Sequence, residues 1–161
     1  MADQNSSDSK SSERVPFAGT RAQNDVEERT KKVSSEILDL IPVKGKTTDT
    51  GPRATPCENR DRERHFRMTH TWSLTPPEQD RPQLKEVMAH LKRTLSKDGW
   101  EIRSYGRDSS PNQNLGLVAD HDGRGFSVNV VHYAKDDPPK LTVRVISACY
   151  RVPKGEKVSP Y

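Results

Sequence analysis

Between Phe66 and Leu74 every second residue is large or apolar: Phe66, Met68, His70, Trp72 and Leu74 fall on one side, and Arg67, Thr69, Thr71 and Ser73 on the other. A period of two is that of an extended chain whose successive side chains point to opposite faces. The stretch therefore reads as a half-buried strand, and it demands a second layer on its apolar side. Pro76-Pro77 ends it. Leu84, Val87, Met88, Leu91 and Leu95 then recur at helical spacing, with Asp80 and Gln83 placed as a cap and Gly99 as a C-terminal stop. The pattern predicts an amphipathic helix over 81–97.

Strands resume at Trp100. One is expected over 100–106 and the next over 115–121; a third alternates Phe126, Val128, Val130 and His132 with Ser127, Asn129, Val131 and Tyr133. The last strand places Leu141, Val143, Val145, Ser147 and Cys149 on one face. Between them lie turn signals: Ser109 to Asn112, then Asp122-Gly123, then Asp136 to Pro139. Connections this short make neighbours antiparallel. The last four strands should form a meander, with the 66–74 strand at an edge or inserted among them. The expected fold is α+β: an antiparallel sheet of about five strands with one face covered by one or two helices.

Upstream, Asn24 and Glu27 fit a capping box, and Val26, Thr30, Val33, Ile37 and Leu40 carry a second helical stripe over 24–41, ended by Pro42. Gly45, Gly51, Pro52 and Pro56 mark 42–56 as a linker loop. Residues 1–23 are rich in Ser, Asp, Gln and Lys without apolar period, the composition of a disordered tail. The domain proper is expected over 57–153, with a short C-terminal tail over 154–161. With 161 residues, 30% hydrophobic and 31% charged, the chain has material for one core and that core is lean.

The net charge of +4 does not mark a nucleic-acid partner. Its basic residues alternate with acids, as in Arg60-Asp61-Arg62-Glu63-Arg64, whereas a nucleic-acid footprint needs clustering. No apolar run is long enough to cross a bilayer, and no basic segment followed by an apolar one marks a secretory signal within these residues.

Cys57 and Cys149 stand at the two ends of the domain. Cys149 shares the parity of Val143 and Val145, so a buried thiol is one reading. The other is a disulfide closing most of the domain into a loop, which would offset the lean core and imply an oxidising compartment.

Chemical motifs fail on inspection. Asp120-His121-Asp122-Gly123-Arg124-Gly125 opens like a calcium loop, but Arg124 and Val131 occupy positions that need oxygen ligands. His65, His70, His90, His121 and His132 form no pair at zinc-ligand spacing. His70 and His132 lie on apolar strand faces and read as core residues. Trp72, Trp100, Phe126 and Tyr133 suit core packing or the floor of a groove. Neither a nucleophile elbow nor a Gly-rich phosphate loop is present. No metal, cofactor or enzymatic activity is expected, and the ligand-binding residues stay unassigned.

Cys57, His70-Thr71-Trp72, Asp98-Gly99-Trp100, Ser104-Tyr105-Gly106 and the terminal Ser147-Ala148-Cys149-Tyr150-Arg151-Val152-Pro153 follow one another in an order that resembles a family of small secreted proteins and lipoproteins, of uncharacterised function, from high-GC Gram-positive bacteria. The resemblance implies an extracellular or cell-envelope location, with the signal absent from this chain and a lipid anchor upstream. It implies no activity. The expected function is a non-enzymatic, monomeric binding or interaction module for a protein or envelope ligand. The alternative is a cytoplasmic inhibitor or immunity-type protein that masks a partner's site.

Overall fold

The computed structural model describes residues 16–159, which fold as one large curled sheet with two helices on the same face. In chain order the elements are β1 (Phe17–Thr20), α1 (Gln23–Leu40), β2 (Lys46–Asp49), β3 (Arg53–Thr55), β4 (His65–Thr75), a 3-10 segment (Glu78–Gln83), α2 (Leu84–Lys97), β5 (Glu101–Arg107), β6 (Leu115–His121), β7 (Phe126–Tyr133), β8 (Lys140–Ser147) and β9 (Cys149–Arg151). The expected meander is present, since β5, β6, β7 and β8 pair antiparallel in sequence order. β4 lies inside the sheet beside β8, from Thr69 opposite Ile146 to Leu74 opposite Leu141.

The sheet has nine strands rather than about five. Two of the additions, β2 and β3, come from the stretch expected to be a linker loop, and both pair with the outer edge of β4. An uncovered edge there would present a row of unpaired backbone groups, and these two short strands close it. A third addition corrects the tail: Phe17–Thr20 runs parallel to β9, with Phe17 opposite Cys149. Residues 1–15 of the expected disordered tail lie outside the described residues.

The fourth addition arises from a break in the last strand. β8 and β9 lie end to end along one edge of β4, and between them Arg67 and Met68 face three residues, Ser147, Ala148 and Cys149. This two-against-three count is a β-bulge. Ser147 Oγ holds it by accepting the Met68 N–H at 2.8 Å and donating to the Ala148 carbonyl at 2.7 Å, while the Ala148 N–H reaches the Gly125 carbonyl at 2.9 Å. The extra residue inverts the side-chain alternation. Ala148, Tyr150 and Val152 now pack with Phe66 and Met68, and Cys149 turns away from the face it was expected to share with Val145.

The helices also start elsewhere than expected. α1 begins at Gln23 after Ala22, without a side-chain cap, so the Asn24–Glu27 capping box does not form. α2 begins at Leu84 rather than residue 81. Pro82 has no N–H to give the ladder, and the turn before it stays 3-10. Its end is as expected: Gly99, at φ +92°, lets Asp98 and Trp100 cap the last carbonyls. α1 packs over β4 and β8, and α2 over β5 to β7. Their stripes, Val33 and Ile37 on α1 and Leu84 to Leu95 on α2, bury against Trp72, Leu117, Val130, Leu141 and Val143.

Candidate functional site

Cys57 and Cys149 form a disulfide with their Cα atoms 6.0 Å apart, so the sequence reading that joined them holds. Cys57 follows β3 on the outer edge of β4, and Cys149 begins β9 on its inner edge. The bond therefore staples two strands across the one between them.

One turn of chemistry was not visible in sequence. The inward stripe of α1 runs Val26, Thr30, Val33, Ser34, Ile37, and Ser34 is a buried hydroxyl among apolar neighbours. A buried hydroxyl needs a partner. It finds His70, which points inward from β4: Ser34 Oγ and His70 Nδ1 are 2.7 Å apart. The other ring nitrogen, Nε2, lies 2.7 Å from Asp49 Oδ1, carried by β2 where Asp49 pairs with Trp72. The Gly51 N–H donates to the same oxygen at 2.7 Å. Burial opposes ionisation of Asp49, but the hydrogen bonds from His70 and Gly51, with the charges of His70 and Lys31, outweigh it and hold the carboxyl below its usual range. An ionised carboxylate only accepts, so Nε2 carries a hydrogen. In a neutral ring Nδ1 is then bare and accepts from the Ser34 hydroxyl.

Hydroxyl, imidazole and carboxylate are thus connected as in a hydrolase triad, with the two ring nitrogens exchanged. Acyl transfer also requires N–H groups aimed at the developing oxyanion. Ser34 and Ser35 sit in the interior of α1, where backbone N–H groups are committed to the carbonyls one turn earlier. The hydrogen bonds tie the helix, the sheet and the β2–β3 hairpin together around His70, and the backbone N–H groups of Ser34 and Ser35 are already used within α1.

The three residues line a cavity of about 280 Å³ between α1 and the β2–β4 edge. Its mixed lining suits an amphipathic ligand. Leu38, 38% exposed, is the one large apolar side chain left open among the described residues, and it stands on this cavity's wall. Trp72 contributes the opposite chemistry: its Nε1 is buried and makes no hydrogen bond within the protein. Lys31 adds a cation, shared with Glu27 and Glu28 at 3.5 Å each.

Of the residues singled out in sequence, His70 and His132 are both buried, and Trp100 and Phe126 belong to the core. Asp120-His121 ends β6, and the expected hairpin turn follows, with Gly125 rather than Gly123 taking the positive φ. Among the described residues no group of three His, Cys, Asp or Glu side chains is arranged to hold a metal. Sequence reasoning did not find Ser34 or Asp49. Ser34 carried a faint signal, a small polar residue inside an apolar stripe; Asp49 carried none. No family model, functionally described protein or solved structure matches the chain.

Proposed function

We propose that the protein is a non-enzymatic binding module of the cell envelope or extracellular space, and that it takes a ligand with an apolar body and a hydrogen-bond acceptor into the cavity over His70 and Trp72. The observation that carries this reading is the meeting, in one preformed cavity, of the exposed Leu38 side chain with the Lys31 ammonium and the polar groups of the Ser34–His70–Asp49 chain. Ligand sites combine apolar walls with a few fixed polar groups in this way. The disulfide supports an oxidising compartment. The Ser34–His70–Asp49 chain fits binding better than turnover, because it fixes three elements of the wall and α1 offers no free backbone N–H groups beside Ser34.

The test uses N-acetyl-leucine amide as probe, since it joins an apolar side chain to amide acceptors. In ¹⁵N and methyl NMR spectra it should shift the Trp72 indole and Leu38 methyl signals, and Leu38→Asp should abolish the Trp72 shift. Shifts scattered over the surface would overturn the proposed site. Covalent labelling of Ser34 by a fluorophosphonate would overturn the non-enzymatic reading. Two free thiols in protein recovered from its own host would overturn the compartment.

A further inference from the structure

A second cavity, of about 90 Å³, opens at the other end of the sheet, where the loop from β5 to β6 approaches α2. Its lining is chemically one-sided. Lys85 comes from the first turn of α2, Arg107 from the end of β5, His132 from β7 and Lys135 from the turn after it; Asn112, Gln113 and Asn114 supply amides, and no carboxylate lines it. Elsewhere the basic residues of this chain are interspersed with acids. Among the described residues Lys85, Arg107 and Lys135 make no ion pair, and Arg107 spends one hydrogen bond on the Gln113 carbonyl at 3.1 Å.

The loop is built rather than loose. Asp108 Oδ1 accepts from the Ser110 N–H, the Ser110 hydroxyl and the Asn114 N–H at 3.0, 2.6 and 3.0 Å, and the Asp108 N–H closes the loop on the Asn114 carbonyl at 2.8 Å. These bonds use Asp108, the acid next to Arg107 in the chain, to fold the loop. They also hold Gln113 at φ +50°, a left-handed conformation that non-glycine residues adopt at a cost. Burial, joined by the charge of Arg107, pushes the His132 imidazole below its ordinary value, as expected where positive charge gathers without an answering anion.

We propose that this cavity binds a tetrahedral oxyanion, the terminal phosphate or sulfate group of a ligand. Size and charge both favour it. The volume corresponds to about three waters, room for one such group. Three cationic side chains and several amide donors surround it on four different elements, so a multiply charged oxyanion satisfies them together. The site is separate from the cavity over His70 and stands or falls independently of the function proposed for that cavity.

The experiment titrates the whole chain with inorganic phosphate and with sulfate, at ionic strength held constant with chloride, and follows backbone amide and histidine ring NMR signals. Saturable shifts confined to Lys85, Arg107, residues 112–115, His132 and Lys135 are expected, with the His132 midpoint rising as anion binds. Arg107→Gln should weaken binding by at least about tenfold, the loss of one charge-assisted contact, while its melting temperature confirms that it folds. Parallel arms distinguish the source. A monoester, glycerol 3-phosphate, should compete with phosphate, whereas dimethyl phosphate and phosphatidylglycerol vesicles should not, because a diester cannot present a terminal group. Competition by the diester or the vesicles would overturn the terminal-group assignment. Non-saturating shifts spread over surface lysines, or equal binding by Arg107→Gln, would overturn the site.

Discussion

Replacing Cys57 and Cys149 by alanine removes a crosslink whose contribution follows from its span. The bond joins residues 92 apart. In the chain-entropy model a loop of that length withholds about 16 cal/mol/K from the unfolded chain, which at 25 °C is about 4.6 kcal/mol. Residual structure in the unfolded chain trims this, so we expect a loss of about 3–5 kcal/mol. For about 140 ordered residues, with an unfolding entropy near 0.3 kcal/mol/K, the melting point should fall by roughly 10–15 °C. Alanine is the right replacement, since both sulfurs lie in residues at most 5% exposed and a serine would bury a hydroxyl. Urea denaturation followed by circular dichroism and tryptophan fluorescence reads both stability and m-value. The m-value should rise, because the uncrosslinked chain exposes more surface on unfolding. Either single alanine variant already breaks the bond, so the double variant should lose little more. A loss below about 1 kcal/mol with an unchanged m-value would refute the argument that the bond acts by constraining the unfolded chain.

Three further outcomes are expected. Leu91, fully buried on α2, should cost about 2–5 kcal/mol on replacement by alanine; Lys92→Ala loses only a cation–π contact over Tyr105 at 4.8 Å and should stay within about 1 kcal/mol in the same urea assay. Equal losses would show that the wrong helix face had been assigned to the core. Gly45→Ala places a Cβ against the Thr75 carbonyl and 2.7 Å from Pro76 Cα, both backbone, so it should cost about 1–3 kcal/mol and speed hydrogen exchange in β2; unchanged exchange would refute the close approach. His132 has a folded-state pKa below its unfolded value. Its share of stability is therefore complete above the unfolded pKa of about 6.5 and is lost as pH falls from there toward the folded pKa. Melting curves should show that decline in the wild type and a shallower one in His132→Asn; parallel curves would sink the assignment.

The elements legible in sequence were those with sustained period. The meander and α2 follow directly from alternation at Val128 and Val130 and from the Leu84–Leu95 stripe. The strands that escaped have no such period. Lys46–Asp49 is exposed along its whole length, and its existence depends on the free edge of β4, a tertiary fact. The bulge at Ala148 was hidden for a related reason: Ser147, Ala148 and Cys149 are all buried, so nothing local marks the residue at which the faces exchange. The cysteine pairing was nevertheless readable, because it rested on position in the chain rather than on facing. The cavity over His70 was half legible. His70 announced itself as inward, but that it joins a helical serine to a hairpin aspartate depends on β2 lying beside β4.

The staple between Cys57 and Cys149 also sets how the molecule carries mechanical load. The two ends of the fold meet at one corner: the Gln23 side chain exchanges two hydrogen bonds with the Ser159 backbone, at 2.8 and 2.9 Å, and β1 runs parallel to β9. Tension applied between the ends passes first through these contacts, shearing β1 from β9, and then through α1, β2 and β3. It stops at Cys57 and crosses the covalent bond to Cys149. Everything between, including β4, α2 and the meander, lies outside the force path. Chain worth roughly 300 Å when extended, 92 steps at about 3.4 Å each, stays slack under load while the bond is oxidised and is released when it is reduced.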